Sequence, residues 1–316
     1  MIRRETARGW IRLSGFGRPF GLAVDSCDRL LVADMDFHAI WRLSPALDRV
    51  EHLRSRTDWS QPEAIAAGTA DTRAHAAPEL FNGPHAVALT DNDALVVTTC
   101  YDPALFCVSP DAAEIERIPD DAYQKRLRGP ASTAICANGQ MLVAEYAQNA
   151  VLRFDRTGRF VGALGGGCQS FGPESRFSPG ADAGAFDRPH MCCIMADGDI
   201  VVADTWNHRL QRFDSSGAFK SMLGGGFSGW QSASTLRGPS AAPGAFNGPV
   251  AVADDGHGGL LVTDWGNDRL QWFDARGLLL RVDADLGLEK PYDAKRIWGK
   301  TVVANSRRGV VMVENI

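Results

Sequence analysis

The chain has 316 residues, 45% hydrophobic and 22% charged, which suits a folded protein with a large core and excludes a disordered polyelectrolyte. Its formal charge of −5 gives no general attraction for nucleic acid, so an RNA-binding role would need a local basic face. Seven cysteines without a CxxC pair read as reduced thiols of a cytoplasmic protein, and Arg3, Arg4, Arg8 and Arg12 interrupt the first twenty residues, so neither a secretory signal nor a membrane anchor is expected.

In chain order the first element is GWIRLSGFG from Gly9, a short apolar strand. Six related segments follow, each opening on a proline, running into an apolar strand, turning at small or acidic residues and resuming as a second strand. They are RPFGLAVDSCDRLLVAD from Arg18, GPHAVALTDNDALVVTT from Gly83, GPASTAICANGQMLVAE from Gly129, RPHMCCIMADGDIVVAD from Arg188, GPVAVADDGHGGLLVTD from Gly248 and KPYDAKRIWGKTVVAN from Lys290. Third strands are clearest in NAVLRFDRTG from Asn149, NHRLQRFDSSG from Asn207 and NDRLQWFDARG from Asn267; fourth strands in FVGALGGG from Phe160 and FKSMLGGG from Phe219. Four strands per unit and six units predict an all-β fold, a six-bladed propeller of four-stranded antiparallel blades occupying residues 1–316 as one domain, with a seven-bladed ring or another propeller class as the alternative. The last unit stops after VVMVENI, its third strand, so residues near 9 to 14 are expected to complete the sixth blade and remove two exposed edges.

The residue after each proline starts the innermost strand, which puts Phe20, His85, Ala131, His190, Val250 and Tyr292 around one channel mouth. The turns after the second strands add Met35, Asp36, Cys100, Tyr101, Tyr146, Thr205, Trp206, Trp265, Ser306 and Arg307. Long connections at 54 to 82, 167 to 187 and 226 to 247 reach the same face and are expected to wall it. His85 and His190 hold equivalent places in alternate blades, with Tyr292 at the third, a pattern able to offer imidazole ligands to zinc or another divalent ion and a phenol for proton transfer.

VVADTWNHRLQRFDSSG and LVTDWGNDRLQWFDARG resemble the NHL repeat. The Pro-His pattern is also similar to the lyase half of the peptide-amidating enzymes, a six-bladed NHL propeller whose zinc is held by three Pro-His histidines on alternate blades. The resemblance implies metal ligation by His85 and His190, with Tyr292 in the third ligand's place, and a catalytic role for Tyr146. Met35 and Thr205 stand where that family has two substrate-gripping arginines.

Asp34, Glu145, Asp204 and Asp264 recur at the ends of second strands, which suits acids that satisfy turn and strand backbone groups, and Arg209 and Arg269 lie five residues beyond such acids as pairing partners. His38 and His208 occupy matching places at the start of third strands, away from the channel centre. The functional expectation is a channel-mouth enzyme, a metal-assisted lyase or hydrolase acting on a small or peptide-like substrate. Tyr146 and Tyr292 would move protons, and Cys100, Tyr101, Trp206, Trp265 and Arg307 would hold the substrate. The alternative is a non-catalytic propeller binding a protein or small ligand on the same face. Neither nucleic acid nor membrane is an expected partner.

Overall fold

The computed structural model describes residues 2–7, 9–54, 58–61, 63–64, 66–67, 80–118, 127–174, 176–232 and 238–314. Six sheets follow one another along the chain. Blade one comprises Pro19–Val24, Leu30–Asp34, Ala39–Leu43 and Arg49–Leu53, with Glu63–Ala64 added outside. Blade two is Pro84–Leu89, Leu95–Thr99, Ala104–Val108 and Ile115–Arg117; blade three is Pro130–Ile135, Met141–Glu145, Ala150–Phe154 and Phe160–Leu164. Blade four is Met191–Ile194, Ile200–Asp204, Arg209–Phe213 and Phe219–Gly224; blade five is Pro249–Asp254, Leu260–Asp264, Arg269–Phe273 and Leu279–Asp283. Blade six is Pro291–Ile297, Lys300–Asn305 and Val310–Glu314.

The ring closes as the sequence predicts. Trp10–Ser14 pairs antiparallel with Val310–Glu314 as the fourth strand of blade six, and Arg3–Ala7 adds a fifth. The innermost strands of successive blades abut in cyclic order, the sixth against the first. Closure by the chain's own start leaves no sheet edge at the seam.

Each second strand is buried on both faces, which is why it reads as a continuous apolar run rather than an alternation. In blade one, Leu30 and Val32 point into the core shared with blade six, and Leu31 and Ala33 into the core shared with blade two. Six such clusters, one at each blade junction, make up the core. Burying each Leu or Val in them contributes roughly 1.5–3 kcal/mol. The residue three before each proline, Phe16, Phe81, Leu127, Phe186, Phe246 or Leu288, is also buried in every blade. This apolar anchor fixes how the chain enters the inner strand; it is written in the sequence but is easily missed beside the prolines.

Of the long connections, most of 54 to 82 lies outside the described residues. The described parts of the other two are pinned against blades four and five. Arg209 donates to the carbonyls of Ala181, Asp182 and Ala185, and Arg269 to those of Ala241, Ala242 and Ala245.

Candidate functional site

The recurring acids anchor the blade entries. Asp34 accepts from the Gly17 and Arg18 N–H groups, Glu145 from Arg128, Asp204 from Asp187 and Asp264 from Asn247. Arg209 and Arg269 pair within their own blades, with Nε 2.8 Å from Asp204 and 2.7 Å from Asp264. Beyond each acid, a left-handed residue opens the third strand and latches the next blade. The N–H groups of Gly83, Arg188, Gly248 and Lys290 donate to His38 Nδ1, Asn149 Oδ1, His208 Nδ1 and Asp268 Oδ1. His38 and His208 therefore serve as backbone acceptors.

At the channel mouth the six residues after the prolines meet as expected, but they fill it unevenly. Phe20, Met35 and Tyr292 pack together with Cys100 against them, and Phe20 lies 4.6 Å from the His85 ring and 4.0 Å from that of Tyr292. Tyr146 stacks on His190 at 5.6 Å. Over blades four to six, where the corresponding positions hold Thr205, Trp265 and Ser306, the mouth opens into a cavity of about 590 Å³.

His190, Tyr292, Trp206, Trp265 and Arg307 line this cavity, so five of the expected residues come together there. His85, Tyr146, Cys100 and Tyr101 stand outside its wall. His85 is 8% exposed and its two ring nitrogens are both engaged: Nδ1 lies 2.5 Å from the Ala131 carbonyl and Nε2 3.0 Å from the Tyr292 hydroxyl. A carbonyl only accepts, so Nδ1 carries the proton and Nε2 accepts from Tyr292. Burial pushes Cys100 up to about 11, and its thiol faces the Gly83 carbonyl, which leaves it a packing group. Tyr101 accepts at its hydroxyl from Arg18, 2.9 Å away.

His190 Nδ1 lies 3.1 Å from the Arg188 carbonyl, so Nδ1 holds the proton and Nε2 the lone pair. Among the described residues, Nε2 has no hydrogen-bond partner. Burial lowers His190 to about 4 and His85 to about 3, and it raises Tyr292 well above an ordinary phenol; all three are neutral near pH 7. The mouth thus holds an imidazole lone pair beside a phenol whose proton is directed away, toward His85. Thr205 and Ser306 also direct their hydroxyl protons into the fold, to the carbonyls of Pro249 and Pro19.

Sequence reasoning missed several parts of the wall: Arg18, His208, Asn247, Gly248 and Lys290. His208 reaches the wall although its sequence position points away from the channel centre, and among the described residues of the pinned loops the wall takes Asn247. The overlooked signal is the residue before each proline. Gly83 and Gly248 take φ of 68° and 64° there, whereas Arg188 and Lys290 adopt 49° and 50°. A side chain in this region costs about 1 kcal/mol. Arg188 lies over the Trp206 ring at 4.9 Å and Lys290 over Trp265 at 4.4 Å.

No group of three or more His, Cys, Asp or Glu side chains placed to hold a metal occurs among the described residues, and none of their helices is long and apolar enough to cross a membrane. Residues 186–213, from Phe186 to the end of the third strand of blade four, match the NHL repeat. No curated protein sequence matches the chain. Among solved structures, the chain is similar to a streptogramin B lyase, with 9% identity, coverage of 99% of this chain and 96% of that one, and a TM-score of 0.58. It is also similar to a catalytically inactive histidine-to-alanine variant of virginiamycin B lyase from Staphylococcus aureus with quinupristin, with 10% identity, coverage of 100% and 99%, and a TM-score of 0.57. A putative gluconolactonase shares 13% identity over 99% of this chain and 92% of its own, with a TM-score of 0.61. Identities this low speak to the fold alone, and fold and repeat agree: this chain is a six-bladed β-propeller with an NHL repeat at its fourth blade.

Proposed function

We propose that the cavity binds a small organic molecule and that His190 acts on it as a proton acceptor, in an elimination or a hydrolysis. The observation that carries this reading is the His190 imidazole: it lines the cavity, is oriented through Nδ1 by the Arg188 carbonyl, is kept neutral by burial and has its Nε2 lone pair unoccupied. A general base needs that combination of fixed orientation and available lone pair. Tyr292, held by His85, offers an oxygen that accepts from a substrate hydroxyl or amide N–H and so positions it. Propellers named as lyases and a putative gluconolactonase share the fold, and one of those lyases is a histidine-to-alanine variant described as catalytically inactive.

This reading involves no metal. A metal bridging His85 and His190 would have to displace Tyr292 from His85 Nε2, and among the described residues no group of three or more His, Cys, Asp or Glu is placed to hold one. Metal analysis of untagged protein beside the double variant His85→Ala, His190→Ala tests this directly. Stoichiometric zinc that disappears in the variant would overturn it.

The principal test is turnover of a panel of small esters and lactones by the wild type and by His190→Gln. Loss of the base should lower kcat by roughly 10²–10⁴-fold. Because protonation of Nε2 removes the lone pair, kcat should also fall as pH drops through about 4. Binding without turnover in the wild type would favour the second reading, a ligand-binding propeller. What favours that reading is that the Tyr292 proton is committed to His85, and that an auxiliary nutrient binding protein from Bacteroides ovatus shares the fold.

A further inference from the structure

We infer that the cavity is built for an organic carboxylate with a flat apolar body, an inference that rests on reading this cavity as the ligand site. Although the chain carries net charge −5, the cavity wall holds Arg18, Lys290 and Arg307 and, among the described residues, not one carboxylate. Two of these cations remain available. Arg18 is taken up by Asp36, which it grips through Nε and a terminal nitrogen at 2.6–2.9 Å. Arg307 is exposed and has no ion pair among the described residues, while its neighbour Arg308 is the one that pairs with Glu289. Lys290 Nζ lies over the Trp265 ring, 3.4 Å from the Trp265 carbonyl, and its ion pair is a long one of 3.8 Å to Asp268, whose side chain is 42% exposed, so the ammonium keeps N–H groups to donate.

The backbone points the same way. Lys290 sits at φ 50° in a place where blades two and five use glycine, and its N–H is held there by Asp268 Oδ1. A lysine that keeps a left-handed conformation at the lip of a cavity is strain maintained where a cation is wanted. The apolar part of the ligand has its own surfaces. Trp206 is 55% exposed and Trp265 38%, large rings on adjacent blades that line the cavity, with Arg188 over the first and Lys290 over the second. Flat rings stack on such surfaces, and a guanidinium and an ammonium next to them hold a carboxylate. The floor excludes the opposite orientation. Tyr292, Thr205 and Ser306 all direct their hydroxyl protons into the protein, so the floor presents oxygen lone pairs that repel an anion and accept from a donor. The carboxylate therefore lies at the rim and the reacting end beside His190.

The test is equilibrium binding of 2-naphthoate and of its neutral counterpart 2-naphthamide, followed by quenching of tryptophan fluorescence, on the wild type, Arg307→Gln, Lys290→Gln and the double variant. Naphthoate should bind more tightly than the amide and should weaken with added salt. Its affinity should fall about tenfold in the double variant while that of the amide stays the same. Equal affinity for acid and amide, or a double variant indistinguishable from wild type, overturns the inference and leaves the role of His190 standing, because that role is read from turnover. Failure of naphthoate to bind the wild type overturns the assigned ligand class.

Discussion

In blade four the second strand ends on Asp204 and the third begins on Arg209, its cross-strand partner; in blade three the same two places hold Glu145 and Ala150. Two residues on, Gln211 of blade four donates to Asp204, whereas Leu152 of blade three joins the core. Asp204 is thus ringed by Asn207, Arg209, Gln211 and the Asp187 N–H, and although burial pushes it up to about 6, the Arg209 guanidinium pulls the other way. Glu145 has backbone N–H donors but no ion pair among the described residues, and burial takes it to about 7. The strands pair alike, so the blade does not depend on the arginine. What differs is the chain that comes before it. Blades four and five follow long connections, whose carbonyls and N–H groups Arg209, Gln211, Arg269 and Gln271 hold. Blade one makes the point from another side: there Trp41 stands seven residues after Asp34 and donates its indole N–H to it, with no long loop to hold. The acid belongs to the propeller frame, and the arginine and glutamine belong to the loops.

Arg209→Ala should have the largest effect. Removing one partner of a buried ion pair and freeing three loop carbonyls should cost about 3–5 kcal/mol in urea denaturation. Placing alanine at Arg269 should do the same, and blade three, which has alanine there already, shows that the strand pairing itself would survive. Limited proteolysis should then cut within 167–187 in the first variant and within 226–247 in the second.

A second, somewhat smaller effect concerns Glu145. Its folded value near 7 lies above the unfolded value of 4.5, so the folded state holds the extra proton between these limits and stability falls as pH rises through them, by roughly 3 kcal/mol in total. His85 and His190, lowered when folded, act in the opposite sense: their contribution is present above about 6.5 and is lost as pH falls toward 4 and 3. Between pH 4.5 and 7 the decline in Tm that Glu145 drives therefore runs against the rise that the two histidines contribute. Glu145→Gln should remove that decline; an unchanged slope would mean that another group carries it.

The smallest effect tests the blade latches. His208→Asn installs the residue that blade three uses at φ 55°, and it should keep stability within about 0.5 kcal/mol. His208→Ala loses the acceptor for the Gly248 N–H and should cost about 1–2 kcal/mol in thermal unfolding.

Much of this architecture was legible in the chain itself. Prolines, paired strand patterns and the GWIRLS segment determined six blades and the closing strand, because strand burial on both faces leaves an unmistakable apolar run and an unpaired third strand needs a partner. The acid at the second strand's end and the arginine five residues on also foretold their pairing, since Asp204 and Arg209 face each other across a short turn. The site was only partly visible. Repeat position placed His190, Tyr292, Trp206, Trp265 and Arg307 at one mouth, but equivalent positions do not make equivalent environments. Only the packed ring decided that Met35, Cys100 and Tyr146 fill one side of the mouth while Thr205 and Ser306 leave the other open. It also decided that Tyr292 is bonded to His85, 207 residues away in sequence, and that the imidazole left with a free lone pair is His190. Strand patterns are set by near neighbours along the chain, whereas hydrogen-bond partners and empty space depend on side chains from separate blades meeting at the axis.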